Sequence, residues 1–120
     1  RDVTQKSIWK LGQEISDLAS RAKEKKLAPN EMQGAVFTVS SLGGIGGKGF
    51  TPIVNASEVA ILGVSRASIQ PVWQEDKFVP RTLIPLSLSY DHRVINGADA
   101  GRFLTHLVYL LGDIRRLMMD

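Results

Sequence analysis

Ile8, Leu11, Ile15, Leu18 and Ala22 recur at spacings of 3, 4, 3 and 4, which puts them on one face of a helix. The pattern predicts an amphipathic helix over roughly residues 4–26, with Thr4 as its cap. Leu27-Ala28-Pro29-Asn30-Glu31-Met32 reads as a turn with a short helical piece, since proline suits a first-turn position. Ala35-Val36-Phe37-Thr38-Val39-Ser40 is rich in strand-forming residues and stops at a glycine cluster. Ile53-Val54, Val59-Ala60-Ile61-Leu62-Gly63-Val64 and Ile69-Gln70-Pro71-Val72-Trp73 are further extended segments. Gln74-Glu75-Asp76-Lys77 is a polar hairpin turn into Phe78-Val79-Pro80. Residues 81–89 are strand-like again, with Leu86 and Leu88 alternating against Ser87 and Ser89. A second helix is predicted from Gly97 to about Met118, with Phe103, Leu107, Leu110, Leu111, Ile114 and Leu117 or Met118 as its buried stripe. Asn96, with Asp99 three residues later, has the form of a helix cap. Helix, several strands, helix predicts an α+β fold, its mainly antiparallel or mixed sheet flanked by helices.

Composition changes this picture little. The chain has 120 residues, 43% hydrophobic and 22% charged, ordinary values for a soluble domain. The absence of cysteine removes disulfides, thiolate metal sites and cysteine nucleophiles, and is compatible with a reducing compartment. No apolar run approaches the ~20 residues of a membrane span. The charged, amphipathic start is unlike a signal peptide. Beginning at Arg1 without methionine, the chain is expected to be a fragment or a processed product. The net charge of +3 is concentrated in Arg21-Ala22-Lys23-Glu24-Lys25-Lys26. Such a cluster complements the dipole at a helix C-terminus; the sharper alternative is an attractor for a phosphorylated ligand or an acidic partner. Without an aromatic-basic stripe or a binding motif, nucleic acid is not expected as a partner.

Two stretches invite chemistry. Gly44, Gly46 and Gly49 fit G-x-G-x-x-G after a strand, yet Phe50-Thr51-Pro52-Ile53-Val54 follows where a dinucleotide site needs a helix. A flexible or tightly turning loop is the better reading. Ser40 and Ser41 end the preceding strand, either as donors to a reacting oxygen or nucleophiles, or as partners of turn backbone groups. His92 stands where the last strand stops and the last helix begins. It is a proton-transfer candidate near neutral pH, or a structural link between the two elements. Asp91 and Arg93 flank it with opposite charges that suggest local ion pairing. Asn96 can orient a ligand or simply cap the helix. His106, inside the last helix, reads as structural or surface-facing. Two histidines fourteen residues apart have no zinc-ligand spacing, so no metal is expected.

Asp91-His92-Arg93-Val94-Ile95-Asn96-Gly97-Ala98 closely resembles the D-H-R-x-x-[DN]-G-A signature of the 2-oxo acid dehydrogenase acyltransferases. Phe37-Thr38-Val39-Ser40-Ser41-Leu42-Gly43, Pro52-Ile53-Val54-Asn55 and Glu58-Val59-Ala60-Ile61-Leu62-Gly63-Val64 resemble three more blocks of that family, in order. The likeness is greatest to its bacterial, pyruvate-type members, and covers only about the C-terminal half of their catalytic domain. Residues 1–120 would then be that half, without a lipoyl or peripheral-subunit-binding domain. The resemblance implies a chloramphenicol acetyltransferase-like fold and acetyl transfer between dihydrolipoamide and coenzyme A, with the lipoyl group carried on a separate domain. It implies His92 as general base on the thiol, Ser40 as donor to the tetrahedral oxyanion, and Asn96 at a position often aspartate in the family. It further implies a homotrimer with active sites between subunits, a cubic core, partnership with the lipoyl domain and the other components of the dehydrogenase complex, and a bacterial cytoplasmic location. The fragment alone is expected to be inactive. The alternative is a non-catalytic, trimer-forming scaffold.

Overall fold

The computed structural model describes residues 1–43, 45 and 47–118. Gly44 and Gly46, on which the G-x-G-x-x-G pattern depends, lie outside the described residues. The chain forms two compact units, residues 1–35 and 36–120.

In the first unit, Val3–Gln5 forms a 3-10 turn and α1 runs Ile8–Lys23. The cap is Ser7, not Thr4. Ser7 is extended and its Oγ accepts from the Lys10 N–H at 3.3 Å, whereas Thr4 is held inside the 3-10 turn. The helix also stops three residues before the predicted Lys26. Lys25 turns left-handed at φ 57°; its N–H donates to Ala22 O and that of Lys26 to Arg21 O. This bond pair closes a helix end in a Schellman motif. Pro29–Glu31 is the expected short helical piece. Glu31 accepts from the Ala28 N–H at 2.9 Å and from Arg21 Nη2 at 2.7 Å, while Arg21 Nε also donates to Asp17. Lys26 pairs with Glu24. Part of the basic cluster is therefore paired within its own unit.

The second unit contains β1 (Thr38–Ser41), β2 (Ala60–Val64), β3 (Ser68–Gln74), β4 (Lys77–Leu83), β5 (Leu86–Tyr90) and α2 (Gly97–Leu111), followed by a 3-10 turn at Ile114–Leu117. Its three-stranded sheet has the order β1-β2-β5, with β1 parallel and β5 antiparallel to β2. The expected mixed sheet of an α+β fold is present. In the central strand Ala60, Ile61 and Leu62 are buried, and Ala100 of α2 joins them. A continuous apolar run suits a strand covered on both faces. Gly63 extends it: a Cβ there would lie 2.9 Å from the Phe50 ring, so glycine is what admits the loop that covers this face.

Three sequence expectations change. Ile53-Val54 pairs with no strand. Residues 81–89 are two strands in two sheets, separated at Ile84-Pro85; the Pro85 carbonyl accepts from the Ser65 N–H at 3.1 Å. The final helix ends at Leu111 because Asp113 is extended (φ −152°, ψ 115°) and opens the 3-10 turn. Its predicted stripe is only partly covered: Leu107 and Leu110 are half-buried, but Phe103, Leu111, Ile114, Leu117 and Met118 are exposed.

β3 and β4 form a hairpin around Glu75 and Asp76, both left-handed at φ 50° and 60°, as a two-residue hairpin turn demands. Trp73 faces Phe78 edge-on, ring centroids 5.0 Å apart. Pro71 pairs with Pro80. Counting from the turn, this is a non-hydrogen-bonded pair, so each missing N–H would have pointed outward. Both edges of the hairpin are thereby blunted against further pairing. Among the described residues no helix is long and apolar enough to cross a membrane.

Candidate functional site

β5 delivers the histidine on a tied mount. Its ladder with β2 ends at Tyr90 opposite Ala60, and one further bond, Asp91 N–H to the Val59 carbonyl at 2.8 Å, continues it. The chain then turns. The Asp91 carbonyl accepts from the N–H groups of both Val94 and Ile95 at 3.0 Å. Its carboxylate accepts from the Arg93 N–H at 3.0 Å, from Arg93 Nε at 2.9 Å and from Arg93 Nη2 at 2.6 Å. The Arg93 guanidinium, and then the Arg93 N–H, hold the Asp91 carboxyl well below its ordinary 3.8, at about 2. His92 lies between these two residues, exposed, with the Tyr90 ring 5.6 Å from its own. The flanking ion pair expected from sequence is present.

Asn96 caps α2: its Oδ1 accepts from the Asp99 N–H at 2.9 Å, and its Nδ2 donates to the Asp99 carboxylate. The cap thus stands four residues beyond His92 and fixes where the helix starts. His106 is exposed on α2.

The two serines separate. Ser41 Oγ accepts from the Gly43 N–H at 3.3 Å, the turn-satisfying role. Ser40 is half-buried on β1 opposite Gly63. Register places it on the sheet face carrying Thr38, Ile61, Ser87 and Ser89.

Ser40 and His92 do not meet within the chain. Ser40 is level with Gly63 and Ser87, while Tyr90 lies three positions further along and two strands across, and His92 lies beyond it. At ~3.3 Å per residue and ~4.8 Å between strands, they stand roughly 14 Å or more apart. A serine and a histidine side chain cannot bridge that gap.

One cluster near the histidine escaped the sequence reading. Thr38 Oγ1 donates to Glu58 Oε2 at 2.6 Å and accepts from Asn55 Nδ2 at 3.0 Å. It ties the start of β1 to the segment whose Val59 carbonyl holds Asp91. Nothing in the spacing pairs Thr38 with residues 17 and 20 positions later; only the parallel β1–β2 register brings them together.

The chain is similar to known proteins over nearly its whole length. The chain is 63% identical over 99% of its length to the dihydrolipoyllysine-residue acetyltransferase component of the Pseudomonas aeruginosa pyruvate dehydrogenase complex, of which it covers 22%. To the Azotobacter vinelandii counterpart it is 61% identical, covering 19%. It superimposes with a TM-score of 0.94, at 60% identity, on an A. vinelandii dihydrolipoamide acetyltransferase solved to investigate the role of one serine, one histidine and one asparagine in its catalytic mechanism. A structure of the cubic core of the pyruvate dehydrogenase multienzyme complex matches equally, at 61% identity. The chain spans about a fifth of the length of these relatives, and 49% of each solved chain. The family model of the 2-oxoacid dehydrogenases acyltransferase catalytic domain matches residues 1–119, and with the strand-mounted His92 signature inside that span, the chain belongs to this family.

Proposed function

We propose that residues 1–120 are the C-terminal half of an acyltransferase catalytic domain with a chloramphenicol acetyltransferase-like fold, and that its reaction is acetyl transfer between dihydrolipoamide and coenzyme A. One observation carries the reading. In the A. vinelandii enzyme the serine under investigation precedes the histidine by 52 residues and the asparagine follows it by four. Ser40, His92 and Asn96 have the same two spacings.

The donor set suits thiol substrates. The exposed His92 imidazole takes the proton from the coenzyme A thiol, and the thiolate attacks the acetyl carbon of acetyl-dihydrolipoamide. The carbonyl oxygen becomes an oxyanion, to which the Ser40 hydroxyl donates a hydrogen bond. Collapse breaks the bond to the lipoyl sulfur, which recovers the proton from the imidazolium. Asn96 holds the helix start that follows the histidine.

The separation of Ser40 from His92 supports a site shared between subunits, as in a trimer, with the serine of one chain facing the histidine of the next. The lipoyl group would arrive on a separate domain, and assembly would follow the cubic core, alongside the other components of the dehydrogenase complex in a bacterial cytoplasm.

Acetyl transfer from acetyl-CoA to dihydrolipoamide, measured on the whole polypeptide carrying this sequence, tests the reading. His92→Ala is expected to lower kcat by ~10²–10⁴-fold. Activity within twofold of the parent would leave a trimer-forming scaffold as the better description.

A further inference from the structure

We infer that Asp91, gripped by Arg93, is a positioning residue for His92: the pair locks the backbone on both sides of the imidazole, and each member cancels the other's charge beside it. This rests on the assignment of His92 as the base. Every polar group of Asp91 is engaged. Its N–H is held by Val59, its carbonyl by Val94 and Ile95, and its two carboxylate oxygens by the N–H, Nε and Nη2 of Arg93. Arg93 itself is 88% exposed and Asp91 only 23%. So the guanidinium closes over the carboxylate from the solvent side, and His92 is the side chain left free between them.

A base must hold its geometry closely, since a displacement of about 1 Å can cost ~10²-fold in rate. Two restraints one residue apart supply that rigidity without touching the ring. The pair also sets the local charge. Of the charged groups on the segments joined to this turn, Glu58 accepts from the Thr38 hydroxyl, and Asp99 accepts from Asn96 and pairs with Arg102. Removing one member of the Asp91–Arg93 pair therefore leaves one uncompensated charge beside His92, of opposite sign in the two cases.

The same arrangement recurs away from the site. Asp113 accepts from the Arg115 N–H at 3.0 Å, from Nε at 3.0 Å and from Nη2 at 2.6 Å, with Ile114 in the middle. That pair supplies a control for what the turn does by itself.

The experiment measures pH–rate profiles on the whole polypeptide for Asp91→Asn, Arg93→Gln, Asp113→Asn and Arg115→Gln. Both Asp91→Asn and Arg93→Gln are expected to lose roughly 10-fold in kcat with KM changed less than about twofold. The acid limb should move by about 0.3 pH unit, down in Asp91→Asn, where a free guanidinium disfavours the imidazolium, and up in Arg93→Gln, where a free carboxylate favours it. The Asp113 and Arg115 variants should leave the limb where it was. Should Asp91→Asn fail to fold, the exposed Arg93 substitution decides alone by the direction of its limb. Unchanged kcat in both site variants, or a loss with unmoved limbs matched by the control pair, overturns the inference. If His92→Ala retains transfer, it is the assignment of the base that fails, and the pair is not at issue.

Discussion

In Asp91-His92-Arg93 and in Asp113-Ile114-Arg115, an aspartate accepts from the N–H and the guanidinium of the arginine two residues on, at nearly the same distances. In both, the arginine is more than 80% exposed and the aspartate about a quarter exposed. In both, arginine lowers the carboxyl and aspartate stabilises the guanidinium. The surroundings differ. Asp91 is tied by its own N–H to Val59 and so to the buried central strand, and its turn leads into a capped 15-residue helix. Asp113 follows the end of that helix and opens only a four-residue 3-10 turn. A D-x-R turn is thus a local device that two nearby side chains can build anywhere. What sets the first apart, and suits it to the proposed site, is the histidine in its middle and the rigidity of its mount.

The contrast breaks most directly at the middle residues. His92→Ala should cost ~10²–10⁴-fold in acetyl transfer, whereas Ile114→Ala should leave the turnover of assembled protein within a few-fold. Comparable losses from both would remove the distinction. The next effect falls on the residue with which His92 is proposed to work. Ser40→Ala should reduce kcat by ~10²-fold or more, about 3 kcal/mol of transition-state stabilisation. Ser41→Ala, which removes only an acceptor for the Gly43 N–H, should be nearly silent in the same assay.

A smaller effect is expected at the helix that follows the first turn. Asn96→Ala removes the cap of α2 and should cost about 1 kcal/mol, read from the shift in urea midpoint at unchanged slope. A midpoint that does not move would mean that the start of α2 is held by packing alone.

The smallest effect is a pH dependence of stability. The Asp91 carboxyl lies at about 2 in the folded chain against an ordinary 3.8, so the folded state binds this proton less readily than the unfolded one. Its contribution is present above about 3.8 and is lost as pH falls toward about 2. Unfolding curves collected across that interval should decline less steeply in Asp91→Asn than in the parent. An identical decline would show that the ion pair contributes nothing that survives solvent screening.

The local features were legible in the residues. Val59-Ala60-Ile61-Leu62-Gly63-Val64 read as an extended segment, and β2 is a strand over Ala60–Val64. The alternation of Leu86 and Leu88 with Ser87 and Ser89 survives in the register, where Leu88 meets Leu62 and Ser87 meets Gly63. Asn96 with Asp99 read as a cap and is one. The errors arose where one pattern spans two environments. Residues 81–89 are uniformly strand-like, yet Leu83 belongs to the hairpin and Leu86 to the central sheet. The apolar stripe of the last helix continues past Leu111, but an extended Asp113 ends the helix. Thr4 and Ser7 are both plausible caps by composition, and only the backbone conformation separates them.

The sequence by itself determined most of the elements, the D-H-R turn and the chemical identity of the groups at Ser40, His92 and Asn96. Propensity, periodicity and capping act within a few residues, and each leaves its mark in the order of the amino acids. The tertiary structure alone decided that β1 lies parallel to β2, that Thr38 reaches Asn55 and Glu58, and that Ser40 and His92 stand two strands apart. Those outcomes depend on which backbone groups pair across twenty or more residues, and a choice of register is a property of the folded sheet rather than of any segment in it.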